Sequence, residues 1–334
     1  MRELPEMPLL TISSPETIEK CSNLMLREND IFICSYPKSG TTWSQHIVIS
    51  LLLLAHRKKR NVQQLPYDHV SDYAPFLEID PHWDGSDLTK DIQVRHALLG
   101  RRVFNTHLRG DMLPGKYVPV NEEADTSDND LNTGKAKANA KEISTHPKAK
   151  FIYIIRSPLD VCVSFYHHLS NQEEGCYEQS LKDFFLAWMQ GEIPFGSWTD
   201  HVRSYAPFIQ RKDVLLLSFE DMVNDLSGCV QRLTKFLELD DCLNEDDIGS
   251  VLPSFTFESM KKNLNKFQPK SVTWKGDFKF LRKGEVGDNK IELTDAERTS
   301  FYKKLKEENV YDEIKTIFGG DDVTNPLERY MTDS

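Results

Sequence analysis

The sequence predicts an α/β fold: a single P-loop-like domain whose central, mostly parallel sheet is flanked by helices on both faces. Three observations predict it. Four short runs are dense in β-branched, aromatic or leucine residues: Ile31 to Tyr36, Val103 to Thr106, Phe151 to Ile155 and Val214 to Ser218. The first, third and fourth are each followed by a segment that reads as helix. Alternation of such strands with helices is the pattern of a parallel sheet covered on both sides. Finally, Pro37 to Thr42 joins the first strand directly to a helix that begins near Trp43 and runs through Leu51 to Leu54.

Further helical stretches fall at about 158–169, 180–190, 197–210, 226–238, 244–252, 255–263, 294–307 and 309–317. A chain of 334 residues can bury a sizeable core without staples, and no internal repeat divides it. Residues 1–334 are therefore read as one domain. One segment departs from the rest. Asn121 to Lys148 is rich in Asn, Asp, Thr, Ala and Lys and almost without apolar residues. It cannot bury enough surface to join a core, so an inserted polar loop is expected at about 119–148, with a short helix near Ala136 to Ile143. Long insertions between strands fall at a sheet end, where ligands also bind.

Composition bounds the partners. The net charge of −11 argues against nucleic acid, because no basic excess is present to offset phosphate repulsion. Met1 to Ser14 carries no basic start followed by an apolar stretch, so it does not read as a secretory signal. The longest apolar run, Ile47 to Ala55, is too short to span a bilayer, so no membrane is expected as partner. The six cysteines show neither a C-x-x-C pair nor a metal-binding spacing. They read as free thiols of a reducing compartment, and the expected location is cytoplasmic. The basic run Arg57-Lys58-Lys59-Arg60 reads as the positive end of a helix rather than a targeting signal.

The loop Tyr36-Pro37-Lys38-Ser39-Gly40-Thr41-Thr42-Trp43 carries the first chemistry. Gly40 lets a ligand approach the backbone, and the next N–H groups open a helix at the positive end of its dipole. Lys38 adds a charge, and Ser39, Thr41 and Thr42 add hydroxyl donors. The result is an anion cradle suited to phosphate. It is not a Walker A loop, since the lysine precedes the glycine, and no metal need be invoked.

P-K-S-G-T-T-W resembles the 5′-phosphosulfate loop of the cytosolic sulfotransferases, enzymes that use 3′-phosphoadenosine-5′-phosphosulfate (PAPS). Other parts of that family's pattern follow in order. Arg156-Ser157-Pro158-Leu159-Asp160-Val161-Cys162-Val163-Ser164 resembles the strand-to-helix segment that grips the 3′-phosphate, and Arg282-Lys283-Gly284 resembles the C-terminal loop that closes on it. Phe219-Glu220-Asp221-Met222 and Gly196-Ser197-Trp198 match as well, so the resemblance spans roughly residues 30 to 290. It implies that Arg156, Ser164, Arg282, Lys283 and Gly284 hold the 3′-phosphate, and that Trp43, Phe219 and Phe257 line the adenine pocket. Guanidinium groups suit the first task because they meet phosphate oxygens bidentately.

Asn105-Thr106-His107-Leu108 resembles the family's T-H-L segment, whose histidine is the general base. A histidine near its ordinary pKa suits that role at neutral pH. By the same resemblance Lys38 neutralises the bridging oxygen as the S–O bond breaks, and Ser164 holds Lys38 away until acceptor binds. The implied function is transfer of a sulfuryl group from PAPS to a hydroxyl or amine of a small acceptor, releasing adenosine-3′,5′-bisphosphate (PAP). Phe76, Phe104, Tyr166 and Trp83 are placed on the acceptor side, around an apolar pocket.

The chain departs from the pattern in several places. Asn105 stands where a lysine usually precedes T-H-L. Gly287-Asp288-Asn289-Lys290 lacks the usual tryptophan. The dimer motif K-x-x-x-T-V-x-x-x-E survives only as Lys290 and Thr294, with Asp295 and Thr299 at the other places, which leaves the oligomeric state open. His107 and Arg156 lie 49 positions apart, roughly twice the expected spacing, and the extra length is read as an acceptor-side lid. Three alternatives remain at this stage: a P-loop kinase or NTPase, a non-enzymatic phosphoadenosine-binding protein, and a dehydratase acting through a transient sulfate ester.

Overall fold

A computed structural model describes residues 7–63, 65, 67–115, 149–175 and 177–310. The insertion expected at 119–148, the short helix within it and all but the start of the helix expected at 309–317 lie outside the described residues.

The strands are β1 (Ile31–Ser35), β2 (Trp83–Asp84), β3 (Asp87–Leu88), β4 (Val103–Thr106), β5 (Lys150–Ile155) and β6 (Val214–Ser218). Four of them form one sheet in the order β4-β1-β5-β6, every pair parallel, as the sequence predicts. The two-residue strands β2 and β3 pair antiparallel in a small hairpin. Side chains alternate across the main sheet, and each face carries its own core. Phe32, Cys34, Phe104, Phe151, Tyr153 and Ile155 pack on one side. Ile31, Ile33, Val103, Ile152, Ile154 and Leu217 pack on the other. Both faces are buried because helices cover both, which is why the strands read as apolar runs rather than alternating ones.

The register sets the position of everything that follows. Cys34 pairs with Thr106, Ser35 with Ile154, and Ile155 with Ser218. The four strands therefore end together, and the segments that leave them converge on one edge of the sheet. A ligand crevice is expected outside these carboxyl ends.

Several helices start and stop for local reasons. Thr41–Arg60 begins after Gly40, at φ +102°, and ends with Arg57 to Arg60 in its last turn before Asn61 at φ +48°. The basic run thus sits at the negative end of the dipole. Trp198–Tyr205 starts where the Ser197 hydroxyl accepts the Asp200 N–H. It stops short of the expected residue 210 because Pro207 has no N–H for the next rung. The helices Pro15–Ser22 and Lys90–Leu99 were not expected. Lys90–Leu99 buries Ile92, His96 and Leu99, a stripe too thin in apolar residues to show as periodicity. No helix among the described residues is long and apolar enough to cross a membrane. Cys21, Cys34, Cys162, Cys229 and Cys242 are free thiols.

Candidate active site

A cavity of about 610 Å³ opens at the carboxyl edge of the sheet. Lys38, Gly40, Thr41 and Thr42 form one wall of it, Arg156 and Ser164 another, and Arg282, Lys283 and Gly284 a third. Trp43, Phe219 and Phe257 line it too, as do His107, Asn105 and Phe76. Ser39 is buried beside this wall, and its hydroxyl has no hydrogen-bond partner in the protein.

The cradle is built by close approach. A Cβ on Gly40 would lie 2.9 Å from Cδ2 of Phe219, so glycine is what allows the aromatic ring to press on the loop. The first rung of the following helix is the bond from the Ser44 N–H to the Gly40 carbonyl at 3.1 Å. The N–H groups of Thr41, Thr42 and Trp43 stand ahead of it, at the positive end of a twenty-residue helix. The Thr41 hydroxyl lies 2.5 Å from that of Ser35, which ties the cradle to the end of β1. Burial, together with the like charges of Arg156 and Arg282, lowers the Lys38 ammonium to a pKa of about 7. An arriving anion would reverse that balance.

Two loops meet over the guanidinium of Arg156. It donates to the Lys38 carbonyl at 3.0 Å and to the Glu285 carbonyl at 3.1 Å, and it sits 4.2 Å from the centre of the Phe219 ring. Asp160 anchors the second loop. Its carboxylate accepts the Gly287 N–H at 2.7 Å, the Asn289 N–H at 2.9 Å and the Asn289 side-chain amide at 2.6 Å. Asn289 stands where the family tryptophan was missed, and its amide takes up this local role. Arg282 pairs with Asp288 and, at 3.0 Å, with Glu292, while Lys283 also pairs with Asp288. Burial opposes ionisation of Asp288, but the bonds from Lys283 and Arg282 outweigh it and hold the carboxyl below its ordinary range. The basic pair is thus occupied by carboxylates, which an incoming phosphate would have to displace. Thr294, the survivor of the dimer motif, caps the helix Asp295–Glu307 in a reciprocal box with Glu297.

His107 follows β4. Its Nδ1 donates to the Ser35 carbonyl at 2.8 Å, which leaves Nε2 as the basic nitrogen of the neutral ring. Phe76 and Phe195 flank the imidazole, with ring centres 5.1 Å and 5.3 Å away. Burial lowers its pKa to about 4; the Ser35 bond opposes this and Lys38 adds to it. The ring is therefore well below the ordinary histidine value expected from sequence, because the site is dry and already carries a cation. Beneath it, Glu78 accepts the His107 N–H at 2.5 Å and the Thr106 hydroxyl at 2.9 Å. Burial pushes the Glu78 carboxyl up to about 8, with those two bonds working against the rise.

Three residues expected on the acceptor side lie elsewhere. Phe104 points to the core face of the sheet, 4.9 Å from Phe32, because the period of two turns it away from its neighbour Asn105. Tyr166 packs against Phe184 and Tyr177, at 5.7 Å and 6.2 Å. Trp83 is buried in the core with its indole N–H on the Leu77 carbonyl at 2.8 Å. Asn105 does reach the cavity, and its buried amide oxygen has no partner. Sequence reasoning missed Glu78 and Phe195, both isolated among ordinary neighbours, and His168. The doublet His167-His168 was a signal, since two adjacent histidines on a helix must face different surroundings.

The arrangement matches known proteins. Residues 28–312 match the family model described as "Sulfotransferase domain". An amine sulfotransferase of Oryctolagus cuniculus is 27% identical over 320 residues, covering 94% of this chain and 92% of the relative. A 3-beta-hydroxysteroid sulfotransferase of Cavia porcellus is 28% identical over 298 residues, 88% of each. Among solved structures, a mouse sulfotransferase complexed with PAP superposes with a TM-score of 0.60 at 24% identity, over 89% of this chain and 90% of that one. A retinol dehydratase in complex with retinol and PAP gives 0.60 at 20% identity, over 93% and 88%. These last two are likenesses of fold. With the family model covering most of the length, and its motifs gathered around one cavity, the chain belongs to the sulfotransferase family of PAPS-dependent enzymes.

Proposed function

We propose that the protein transfers the sulfuryl group of PAPS to a hydroxyl or amine of a small acceptor, with His107 as general base, in a single domain acting in the cytoplasm. One observation carries the reading: His107, its Nδ1 fixed on Ser35, shares a cavity with Lys38 and the cradle that Ser35 also supports.

The residues present fit the donor. A buried Ser39 hydroxyl without a partner, backbone N–H groups opening a helix after Gly40, and Lys38, Arg156, Arg282 and Lys283 facing one cavity are features a bisphosphate would satisfy. Lys38, Ser39, Gly40, Thr41 and Thr42 would hold the 5′-phosphosulfate. Arg156, Ser164, Arg282, Lys283 and Gly284 would hold the 3′-phosphate, with Trp43, Phe219 and Phe257 around the adenine. Bound there, PAPS supplies an electrophilic sulfur and a bisphosphate leaving group.

The chain's own residues do the rest. Phe76 and Phe195 shape an apolar approach to Nε2 of His107, exclude water and orient a small acceptor. Nε2 takes the acceptor's proton as it attacks, and the Ser35 carbonyl supports the imidazolium that results. Lys38 presents its ammonium at the cradle, where negative charge develops on the departing oxygen. Positioning and electrostatics therefore carry most of the catalysis. Relatives named for amines and for hydroxysteroids agree with an acceptor bearing either nucleophile.

The test is transfer of ³⁵S from labelled PAPS to a panel of phenols, sterols and amines. Labelled organic product that disappears in His107→Ala supports the reading. Absence of transfer to every acceptor class, with PAP still bound tightly, would favour a nucleotide-binding role instead.

A further inference from the structure

The hydrogen bond of the Lys38 ammonium does not go to Ser164. Nζ lies 3.3 Å from Nδ1 of His168 and 4.1 Å above the centre of the Phe280 ring. Ser164 and His168 are one turn apart on the helix Pro158–Ser170, so both face the same cavity. The neighbouring His167 faces away and bonds Glu292 at 2.7 Å. Trp274, Phe280 and Phe165 enclose the His168 ring at 5.3, 5.8 and 6.3 Å. The histidine is therefore held rigidly, with one nitrogen turned to the lysine and an aromatic wall behind it.

We propose that His168 is the positioning residue for Lys38: its imidazole accepts the ammonium's hydrogen bond and stations that charge at the seam between nucleotide cradle and acceptor cavity. This rests on the sulfotransferase reading, and it transfers to His168 the part that resemblance assigns to Ser164.

The protonation states agree with the geometry. Burial drives His168 well below its ordinary pKa, and the nearby Lys38 and His107 push the same way. The ring is neutral at pH 7, and because the facing ammonium can only donate, it selects the tautomer with the lone pair on Nδ1 and the ring proton on Nε2. The charged groups acting on Lys38 are Arg156 and Arg282, both like-charged, while Asp288 is engaged by Arg282 and Lys283. The His168 lone pair and the Phe280 face are thus what favour the ammonium before a ligand binds. A hydroxyl at Ser164 could give one such bond; an imidazole packed between aromatics gives it in a fixed direction.

The test needs only PAP, not the unidentified acceptor. Proton uptake on PAP binding is measured at about pH 7 by calorimetry in buffers of different ionisation enthalpy. With Lys38 at about 7 before PAP binds, its share in the wild-type chain is about half a proton. In His168→Phe the buried ammonium loses its acceptor, its pKa falls, and uptake rises toward one. In His168→Gln, which keeps an acceptor, uptake returns close to the wild-type value. Equal uptake in all three proteins overturns the proposal. As a measurement that needs no His168 variant, ¹⁵N shifts of labelled histidine in the ligand-free protein should show a neutral ring with an accepting Nδ1 that responds to Lys38→Met. An Nδ1 that carries the proton, or one that ignores Lys38→Met, also overturns it. If the wild-type chain binds no PAP at all, the donor reading itself fails, and that outcome is distinct from PAP binding with unchanged uptake.

Discussion

Gly284→Ala should cripple nucleotide binding while leaving the fold intact. Gly284 has φ +69°, and a Cβ there would lie 2.3, 2.5 and 2.8 Å from three atoms of the Phe257 ring. The left-handed backbone alone costs an L-residue about 1–2 kcal/mol. The overlap with the ring adds about 1–3 kcal/mol if neither partner moves. Phe257 is only partly buried and the loop is outside any helix or strand, so the free protein can relax by swinging the ring aside. That relaxation opens the wall proposed to hold adenine, and the strain reappears when ligand requires the wall closed. A loss of at least about 2 kcal/mol in PAP binding follows, roughly 30-fold in Kd at 1.4 kcal/mol per tenfold. Gly287→Ala is the control. Its φ is +93°, yet no atom lies within 4 Å of the added Cβ, so it tests backbone strain without the clash. Calorimetric titration with PAP, with Tm as the check on folding, should rank wild type, Gly287→Ala and Gly284→Ala in order of weakening affinity. If Gly284→Ala binds PAP within threefold of wild type, or no worse than Gly287→Ala, the steric reasoning is wrong.

Other outcomes follow from the same geometry. His107→Ala should lower kcat by about two to four orders of magnitude with PAP affinity near wild type, measured by ³⁵S transfer and titration. Arg156→Ala should weaken PAP by about 1.5–3 kcal/mol and AMP to a lesser degree, since the guanidinium also holds the Lys38 carbonyl. Arg282→Ala should lose less, because Asp288 and Glu292 already compete for that side chain, and AMP should be unaffected. Asn105→Lys should give equal or higher activity on a reactive phenol, as the buried amide oxygen makes no bond to lose; a large drop would reveal a role for the amide. Stability should fall on acidification. His46, His96 and His107 sit at about 4 and His201 at about 3, all lowered chiefly by burial. The unfolded chain then binds more protons from about pH 6.5 down to about pH 4, so stability present above that window is lost as pH falls through it. Glu78, raised to about 8, opposes this, but it is one group against four. A denaturant midpoint that stays flat or rises between about pH 7 and about pH 5 would contradict the sign.

Sequence by itself determined the sheet and the first loop that meets the cavity. The strands of the main sheet could be read because both faces are covered, so β1, for instance, is apolar at every position from Ile31 to Cys34. The loop proposed to cradle phosphate was legible as a unit because a glycine, a lysine and three hydroxyls must be contiguous to place their groups around one anion. Arg156 and the Arg282-Lys283-Gly284 loop were legible through resemblance alone, since nothing local distinguishes such cations from surface charge. Tertiary structure decided what depends on direction and enclosure. Phe104 and Asn105 are adjacent in sequence, and only the packing of the sheet says which faces the core and which the cavity. The pKa of His107 depends on dryness and on Lys38, neither of which is a local property. Glu78 reaches His107 from a loop far away in sequence, and His168 meets Lys38 across 130 positions of chain. A side chain's partner across such a distance is set by how helices seat on the sheet, which a one-dimensional pattern of residue types does not encode.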